Sequence, residues 1–293
     1  MLLITGATGR IGRELVPLLT RRQGPVRVLV REASRAAGLP AGTETVVADL
    51  TDPSKLPAAL EGVDRLFLLF PGIDHAAVDA LLAAARTAGV ERLVYLSSYA
   101  VGIDPMPAMG KWHFEREELI AGHGIPATVL RPCGFMSNTL DWLATLRSDG
   151  VVLDPVGPGR AALVDPADIA AVAVEALTDD RHVGRTYTLT GDQPLTVREQ
   201  VRVLETVIGR NLPVREVATP EEAVRFRYPD GAPPALAAAL VEGLRLMRAD
   251  TKGLVTTDVE QVTGHAPHSF ESWCRRHADA FRTGLDTLGN AHA

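Results

Sequence analysis

The segment LLITGATGRIGRELV at residues 2–16 joins a short apolar run to a glycine-rich turn and an amphipathic helical pattern. Gly6, Gly9 and Gly12 fall between the predicted strand and the predicted helix. Gly6 permits a tight turn, Gly9 lets the backbone approach a pyrophosphate, and Gly12 allows close packing of helix on strand. The helix start then offers open N–H groups and a positive dipole end to phosphates.

In this strand–turn–helix context the glycine spacing predicts a dinucleotide-binding loop, and a purely structural glycine turn is the alternative interpretation. The predicted contacts of the loop with the cofactor are Gly6, Thr8, Gly9, Arg10, Ile11 and Gly12.

Apolar strand patterns alternate with alanine-rich helical patterns over the first two thirds of the chain. Continuous apolar strands separated by helices predict a parallel sheet covered on both faces, and right-handed crossovers make it a Rossmann-type doubly wound α/β fold. After about residue 190 the pattern is mostly helical. We expect a dinucleotide-binding domain over 1–155, with the sheet completed by roughly 160–190, and a smaller, mostly helical lobe over 191–293 to which 133–150 contribute.

Composition narrows the classes of partner. The 293 residues carry a net charge of −6 and no basic stripe, which argues against nucleic acid and membrane surfaces. Cys133 and Cys274 form no Cys-x-x-Cys pair, so a reducing compartment fits, and no cluster of ligand residues has metal-site spacing. No apolar run approaches the roughly 20 residues that span a bilayer. We expect a cytoplasmic monomer or homodimer that acts on a small molecule without a metal.

The residues after the second and third strands bear on cofactor choice. An acidic residue for the ribose is expected about 20 residues after the glycine loop, but Arg31 stands there, at the end of VRVLV, and Arg35 follows one turn later. Guanidinium groups suit a 2′-phosphate, so NADP(H) is favoured and NAD(H) is the alternative. Two solvated surface arginines without a ligand are the other interpretation. Asp49 and the N–H of Leu50 are predicted to meet the adenine.

Several segments together carry a resemblance: GATGRIG, VLVR, ADL, YLSS, LRPCGFMSN and TDVEQVTGHAPHSFESW. They resemble the NmrA-like group of atypical short-chain dehydrogenases over essentially the whole chain. Some members of that group reduce quinones or other electron-poor acceptors with NADP(H) or NAD(H), and others are non-catalytic regulators that sense the cofactor. The resemblance implies NADPH-dependent hydride transfer to an aromatic or quinone-like acceptor. The alternatives are an NADP(H)-sensing regulator and a ketone or imine reductase of secondary metabolism.

The resemblance also aligns MGKWHFERE, residues 109–117, with the helix that carries Tyr-x-x-x-Lys in typical short-chain dehydrogenases. Met109 stands at the tyrosine position and His113 at the lysine position, so the usual acid is absent. His113 is expected to contact the nicotinamide ribose or to donate a proton, with Glu117 one turn away to orient it. A surface His–Glu pair without function is the alternative.

Residues after other strands complete the predicted site, because ligands of open α/β sheets bind outside the carboxyl ends of the strands. Tyr99 is either a replacement acid or a pocket wall, and Ser97 either contacts nicotinamide or is satisfied by the backbone. Phe135 and Met136 form either an apolar wall for a flat acceptor or core packing. The other predicted contacts are Phe70, Pro71, Ser97, Pro132 and Phe135 with the cofactor, and Tyr99, Met109, Cys133, Phe135, Met136 and Asn138 with the substrate.

Overall fold

The computed structural model describes residues 1–70 and 72–289, with side chains through residue 285. The strands are β1 Leu2–Thr5, β2 Arg27–Val30, β3 Glu44–Val47, β4 Arg65–Leu68, β5 Arg92–Leu96, β6 Ala127–Pro132, β7 Val152–Asp154, β8 Thr186–Leu189 and β9 Val214–Glu216. The α-helices are α1 Gly12–Gln23, α2 Leu56–Leu60, α3 His75–Thr87, α4 Ala108–His123, α5 Trp142–Asp149, α6 Pro166–Thr178, α7 Val197–Ile208, α8 Pro220–Arg227, α9 Pro234–Ala249, α10 Asp258–Thr263 and α11 Phe270–Gly289. The predicted contact Pro71 lies outside the described residues.

Seven strands form one parallel sheet in the order β3-β2-β1-β4-β5-β6-β8. The order reverses between β1 and β4, so the loops that follow these strands diverge and leave a crevice at the carboxyl edge of the sheet. The predicted Rossmann-type doubly wound fold is therefore confirmed. The glycine loop follows β1 and lies at this crevice.

The strands read as continuous apolar runs because both faces of the sheet are covered. In β1, Leu2 and Ile4 belong to the core cluster that includes α1 and α6 side chains, whereas Leu3 belongs to the cluster formed with α2, α3 and α4. All three side chains are buried. Burial on both faces replaces the alternation of a half-exposed strand, and it fixes the sheet that positions the loops above it.

The C-terminal part has a third core cluster, in which Trp273 and Phe281 of α11 are buried against α5 and α7. β9 pairs with β7 in a separate two-stranded sheet, so among the described residues no strand after residue 190 joins the main sheet. This part of the chain is mostly helical, as predicted. The carboxylate of Asp258 at the start of α10 accepts from the Thr188 amide at 2.6 Å and thereby covers a hydrogen-bonding group of edge strand β8.

Of the helices that the structure describes, none is both long enough and apolar enough to cross a bilayer.

Candidate active site

The glycine loop after β1 forms a cradle that a pyrophosphate fits. Gly6 has φ +67°, in the left-handed region that favours glycine, and its carbonyl accepts from the Gly9 amide at 3.0 Å. No side chain caps the start of α1. The Arg13 and Glu14 amides bond to the Gly9 and Ile11 carbonyls, whereas the Gly12 amide has no backbone partner within the described residues and is available to a ligand. Gly12 packs so closely on the loop that an added Cβ would lie 2.3 Å from the Gly6 carbonyl oxygen. The backbone therefore has the shape that a bound dinucleotide requires.

Thr5, at the end of β1, ties this loop to the loop after β4. Its hydroxyl accepts from the Leu69 amide at 2.7 Å and donates to the Leu69 carbonyl at 2.9 Å. The predicted cofactor contact Phe70 is therefore held beside the glycine loop. The sequence analysis missed Thr5, although a lone polar residue ending an apolar strand before a glycine turn was a usable signal.

The residues predicted at the adenosine end lie together near the ends of β2 and β3. The guanidinium groups of Arg31 and Arg35 are exposed, and neither has a side-chain partner among residues 1–70 and 72–285. The carboxylate of Asp49 accepts from the amide and hydroxyl of Thr51, which lowers its pKa, and nearby Arg31 adds to the effect. Leu50 is half-buried. Both arginines are thus available to an anion.

Arg10, in the glycine loop, reaches across to the segment that follows β6. Its guanidinium donates to the Asn138 side-chain carbonyl and, at 2.6 Å, to the Asp141 carboxylate. Two residues that were predicted to contact cofactor and substrate separately are thus bonded to each other. The remaining predicted loop residues occupy the turn itself, with Thr8 half-buried and Ile11 buried in the core below.

His113 lies on the second turn of α4 with its ring turned toward β5. Its Nδ1 is 3.0 Å from the hydroxyl of Tyr95, a residue with no exposed surface. Burial, reinforced by the charge of Arg116, lowers the pKa of His113 to about 4, and burial raises the pKa of Tyr95 to about 12. Both groups are therefore uncharged near neutral pH.

Glu117 does not orient His113, contrary to the expectation from their spacing. Its carboxylate accepts from the Ser97 hydroxyl at 2.5 Å and forms a two-pronged ion pair with Arg131 of β6, including a 3.0 Å bond from Nε. A charged, bidentate partner outcompetes a neutral imidazole for a largely buried carboxylate. Ser97 is consequently satisfied by a side chain rather than by the backbone.

The neutral state of His113 predicts a pH-dependent loss of stability. Because the folded pKa lies below the unfolded value of about 6.5, the unfolded state binds more protons between these values, and stability falls as pH drops from 6.5 through about 4. His113→Gln should remove this contribution, roughly 2–3 kcal/mol at about pH 4.5. Urea unfolding of both proteins at neutral and acid pH measures it.

The comparison variant is His265→Gln, which changes an exposed histidine. We expect its unfolding free energy to follow that of the wild type at both pH values. If His113→Gln also follows the wild type, His113 is not held neutral in the folded protein.

Arg116 was missed by the sequence analysis, although its side chain is only 2% exposed. It donates to the Gly72 carbonyl, and its guanidinium carbon lies 5.5 Å from the ring centroid of Phe70. It has no carboxylate partner among the described residues, and its Nε is buried without a hydrogen bond. A buried arginine inside the charged run HFEREE gives no pattern that separates it from its exposed neighbours.

The predicted substrate contacts differ in burial. Tyr99 and Met109 are half-buried, and the Tyr99 hydroxyl has no hydrogen-bond partner within the described chain. Burial raises the pKa of Tyr99, and Cys133 and Asp250 raise it further, so the phenol keeps its proton. Phe135 is half-buried against the core next to β6.

Three predicted contacts are buried rather than open. Met136 is 1% exposed in the third core cluster, which is the core-packing interpretation of that residue. The Cys133 thiol donates to the Ala162 carbonyl at 2.5 Å, and burial raises its pKa to about 12, so it is not a thiolate. Pro132 is buried at the end of β6. Their predicted contacts with a ligand stay predictions.

Among the side chains of residues 1–70 and 72–285, no group of three or more His, Cys, Asp or Glu is placed to hold a metal ion.

Comparisons with known proteins agree with this geometry. A family model described as NAD(P)H-binding matches residues 6–180. The chain is 39% identical over 96% of its length to a (4-alkanoyl-5-oxo-2,5-dihydrofuran-3-yl)methyl phosphate reductase of Streptomyces griseus, and 99% of that protein is covered. It is 38% identical over 96% of its length to an NAD(P)H azoreductase of Xenophilus azovorans, again with 99% coverage.

Among solved structures, an NADPH-dependent quinone oxidoreductase of Escherichia coli in complex with NADPH superposes with a TM-score of 0.79. The two are 26% identical, and the alignment covers 94% of this chain and 99% of the other. The resemblance predicted from the sequence segments is thus confirmed. The chain belongs to the NAD(P)H-binding family, within the NmrA-like group of atypical short-chain dehydrogenases, and is an NAD(P)H-dependent oxidoreductase.

Proposed function

We propose that the protein reduces, with NADPH, an electron-poor small molecule whose reduced form is a delocalised anion. Two features support this proposal: the resemblance aligns Met109 of α4 with the tyrosine of typical short-chain dehydrogenases, and His113 on the same helix is neutral. When bound, the nicotinamide supplies the hydride. The residues of this chain supply position and electrostatics.

The residues that would hold NADP(H) run along the carboxyl edge of the sheet. Gly6, Gly9 and Gly12 would cradle the pyrophosphate, and the unpaired guanidinium groups of Arg31 and Arg35 would bind the 2′-phosphate. We propose that NADP(H) is preferred and that NAD(H) binds less tightly. Asp49, Leu50 and Phe70 would flank the adenosine half, while Ser97, His113, Pro132 and Phe135 would lie toward the nicotinamide.

The proposed acceptor pocket lies between that edge and the helical lobe of residues 191–293. Glu242 of α9 accepts from the Ala108 amide at 2.8 Å, so α9 is tied to the start of α4 beside Met109. Asp250, at the end of α9, is close enough to Tyr99 to raise its pKa. Tyr99, Met109 and Phe135 would then form walls of the pocket, and the protonated Tyr99 hydroxyl would be its nearest proton source.

The names of the relatives share one chemical feature. A quinone and an oxo-dihydrofuran with an alkanoyl group offer C=C bonds conjugated to carbonyl groups, and an azo compound offers an N=N bond between two electronegative atoms. Hydride addition to such a group spreads the negative charge, so proton transfer need not accompany it. An unactivated ketone instead becomes a localised alkoxide, for which an acid in place contributes about 10²–10⁴-fold. The missing tyrosine therefore favours the conjugated acceptors.

Steady-state NADPH oxidation with a matched panel tests the proposal. We expect turnover with quinones, azo compounds and doubly activated alkenes, and rates at least about 100-fold lower with unactivated ketones of similar size. The Gly12→Ala protein, which should not bind cofactor, controls for contaminating activity. Micromolar NADPH binding without turnover above the solvent background would instead indicate a regulator, and equal rates with ketones would indicate an unrecognised acid.

We also propose a cytoplasmic location and a small-molecule substrate without nucleic-acid or membrane partners. The two cysteines are unpaired and buried, which suits a reducing compartment. The choice between monomer and homodimer stays a prediction that sedimentation can decide.

A further inference from the structure

A buried polar network below His113 has no part in the function proposed above. The Tyr95 hydroxyl of β5 is 3.0 Å from His113 Nδ1, and Arg116 lies one turn further along α4. The positive charge of Arg116 lowers the pKa of the Tyr95 phenol and also that of His113. These three residues, the Tyr95 network, connect β5 and α4 beneath the carboxyl edge of the sheet.

The direction of the hydrogen bond follows from what each group can donate. Within the described residues, the Tyr95 hydroxyl has one hydrogen-bond partner, Nδ1 of His113. The Tyr95 phenol is fully buried and keeps its proton, and a buried hydroxyl that did not donate would be left unsatisfied. Its O–H therefore donates to Nδ1 of His113. The proton of the neutral imidazole must then sit on Nε2.

The Nε2 atom of His113 is the one ring nitrogen that the Tyr95 hydroxyl does not bond. This atom has no hydrogen-bond partner within the described residues. It is not buried either, so it is accessible to solvent. A neutral imidazole with one nitrogen fixed from below thus presents a single N–H at the surface of the site.

Among the described residues, no carboxylate forms a hydrogen bond or ion pair with the His113 ring. Several titratable groups on α4 and on the helices packed against it have partners of their own: Glu117 with Arg131 and Ser97, His75 with Glu115, Asp79 with His123, and Glu242 with the Ala108 amide. Tyr99 remains a neutral phenol. The charge that acts on His113 is the buried guanidinium of Arg116, which has no carboxylate partner within the described residues and repels a proton.

We propose that Tyr95 and Arg116 are positioning residues that hold His113 as a neutral imidazole protonated on Nε2, so that this N–H is a fixed hydrogen-bond donor to the bound cofactor. The proposal rests on the proposed function only in placing the cofactor beside His113. It assigns His113 a constant donor role in place of a titrating acid, and it gives the buried Arg116 a function.

Nitrogen-15 NMR of the histidine-labelled protein without cofactor tests the tautomer directly. We expect His113 to show a protonated Nε2 and an unprotonated Nδ1 at neutral pH, and to stay neutral to below about pH 5. A proton on Nδ1, or titration near the ordinary value of about 6.5, would overturn the proposal. The NMR measurement does not depend on turnover. The wrong tautomer would therefore overturn the role of His113 without touching the proposed reaction, and an inactive acceptor panel would do the reverse.

Two variants then test the positioning role. Tyr95→Phe keeps the buried ring and should weaken NADPH binding roughly two- to tenfold, the effect of one hydrogen bond, while His113 populates both tautomers. Arg116→Met should raise the His113 pKa only in part, because burial is the larger cause of the shift. As the solution is acidified, NADPH affinity should therefore begin to change at a higher pH than in the wild type.

The chain supplies a matched control in a second Tyr–His pair. The hydroxyl of Tyr187, in edge strand β8, is 2.8 Å from Nδ1 of His182 and lies away from the glycine loop. Tyr187→Phe removes the same group, and we expect NADPH affinity and the His113 signals to stay as in the wild type. If Tyr95→Phe folds and binds NADPH as tightly as Tyr187→Phe, Tyr95 does not position His113 for the cofactor.

Discussion

Replacement of Gly12 by alanine is expected to abolish tight binding of the dinucleotide, with a loss of roughly 100-fold or more. The new Cβ would lie 2.3 Å from the Gly6 carbonyl oxygen and 2.5 Å from Cα and the carbonyl carbon of Ala7. These are backbone atoms, so no side chain can move to relieve the contact. The start of α1 must shift away from β1, and the shift opens the phosphate cradle. Titration with NADPH, alongside circular dichroism to confirm folding, measures the loss.

Gly122→Ala is the matched control for this substitution. Gly122 lies in α4 without a positive φ, and open space surrounds the position that an added Cβ would take. Alanine there should therefore leave NADPH affinity unchanged and make the helix slightly more stable. NADPH affinity of the Gly12→Ala protein within about threefold of wild type would show that close helix packing does not shape the site.

Arg31→Ala should separate the two nicotinamide cofactors. The exposed Arg31 guanidinium forms no hydrogen bond or ion pair within the described residues, and only its charge acts on nearby Asp49, so its loss removes a phosphate ligand without breaking an internal ion pair. Charge-assisted bonds to phosphate support an expected loss of about 10- to 100-fold for NADPH and less than about threefold for NADH. Isothermal titration with both cofactors measures the two losses.

The control is Arg21→Ala, which removes an equal charge from the exposed face of α1. It should weaken neither cofactor beyond a small long-range effect. Equal losses of NADPH and NADH in Arg31→Ala would refute the assignment of Arg31 to the 2′-phosphate.

The main sheet and its glycine loop were predictable because each depends on local patterns. Leu2, Leu3 and Ile4 are apolar at consecutive positions only because helices cover both faces. Gly6 and Gly12 mark backbone that no other residue fits without strain or collision. These local patterns can be recognised in the sequence without knowledge of long-range contacts. The pairing of β7 with β9 carries no such signal, since each strand has three residues and the partners are distant in sequence.

The contacts below the cofactor edge were not predictable, because competition between partners decides them. The spacing of His113 and Glu117 on one helix face suggested a pair, but Arg131, brought alongside by β6, offers Glu117 two charged bonds. His113 turns to Tyr95 instead. Tyr95 itself looked like one more apolar strand residue, and only the sheet register places its hydroxyl under α4.

The most direct test of the central claim is single-turnover oxidation of protein-bound NADPH, followed anaerobically after mixing with a quinone. The nicotinamide C4 carries deuterium on one face in one sample and on the other face in a second. We expect one NADPH oxidised per quinone reduced, with slower oxidation for one labelled face only, because the site fixes the ring and passes hydride directly. Bound NADPH that stays reduced with every acceptor of the panel, or equal rates for both labelled faces and the unlabelled cofactor, would contradict hydride transfer in this site.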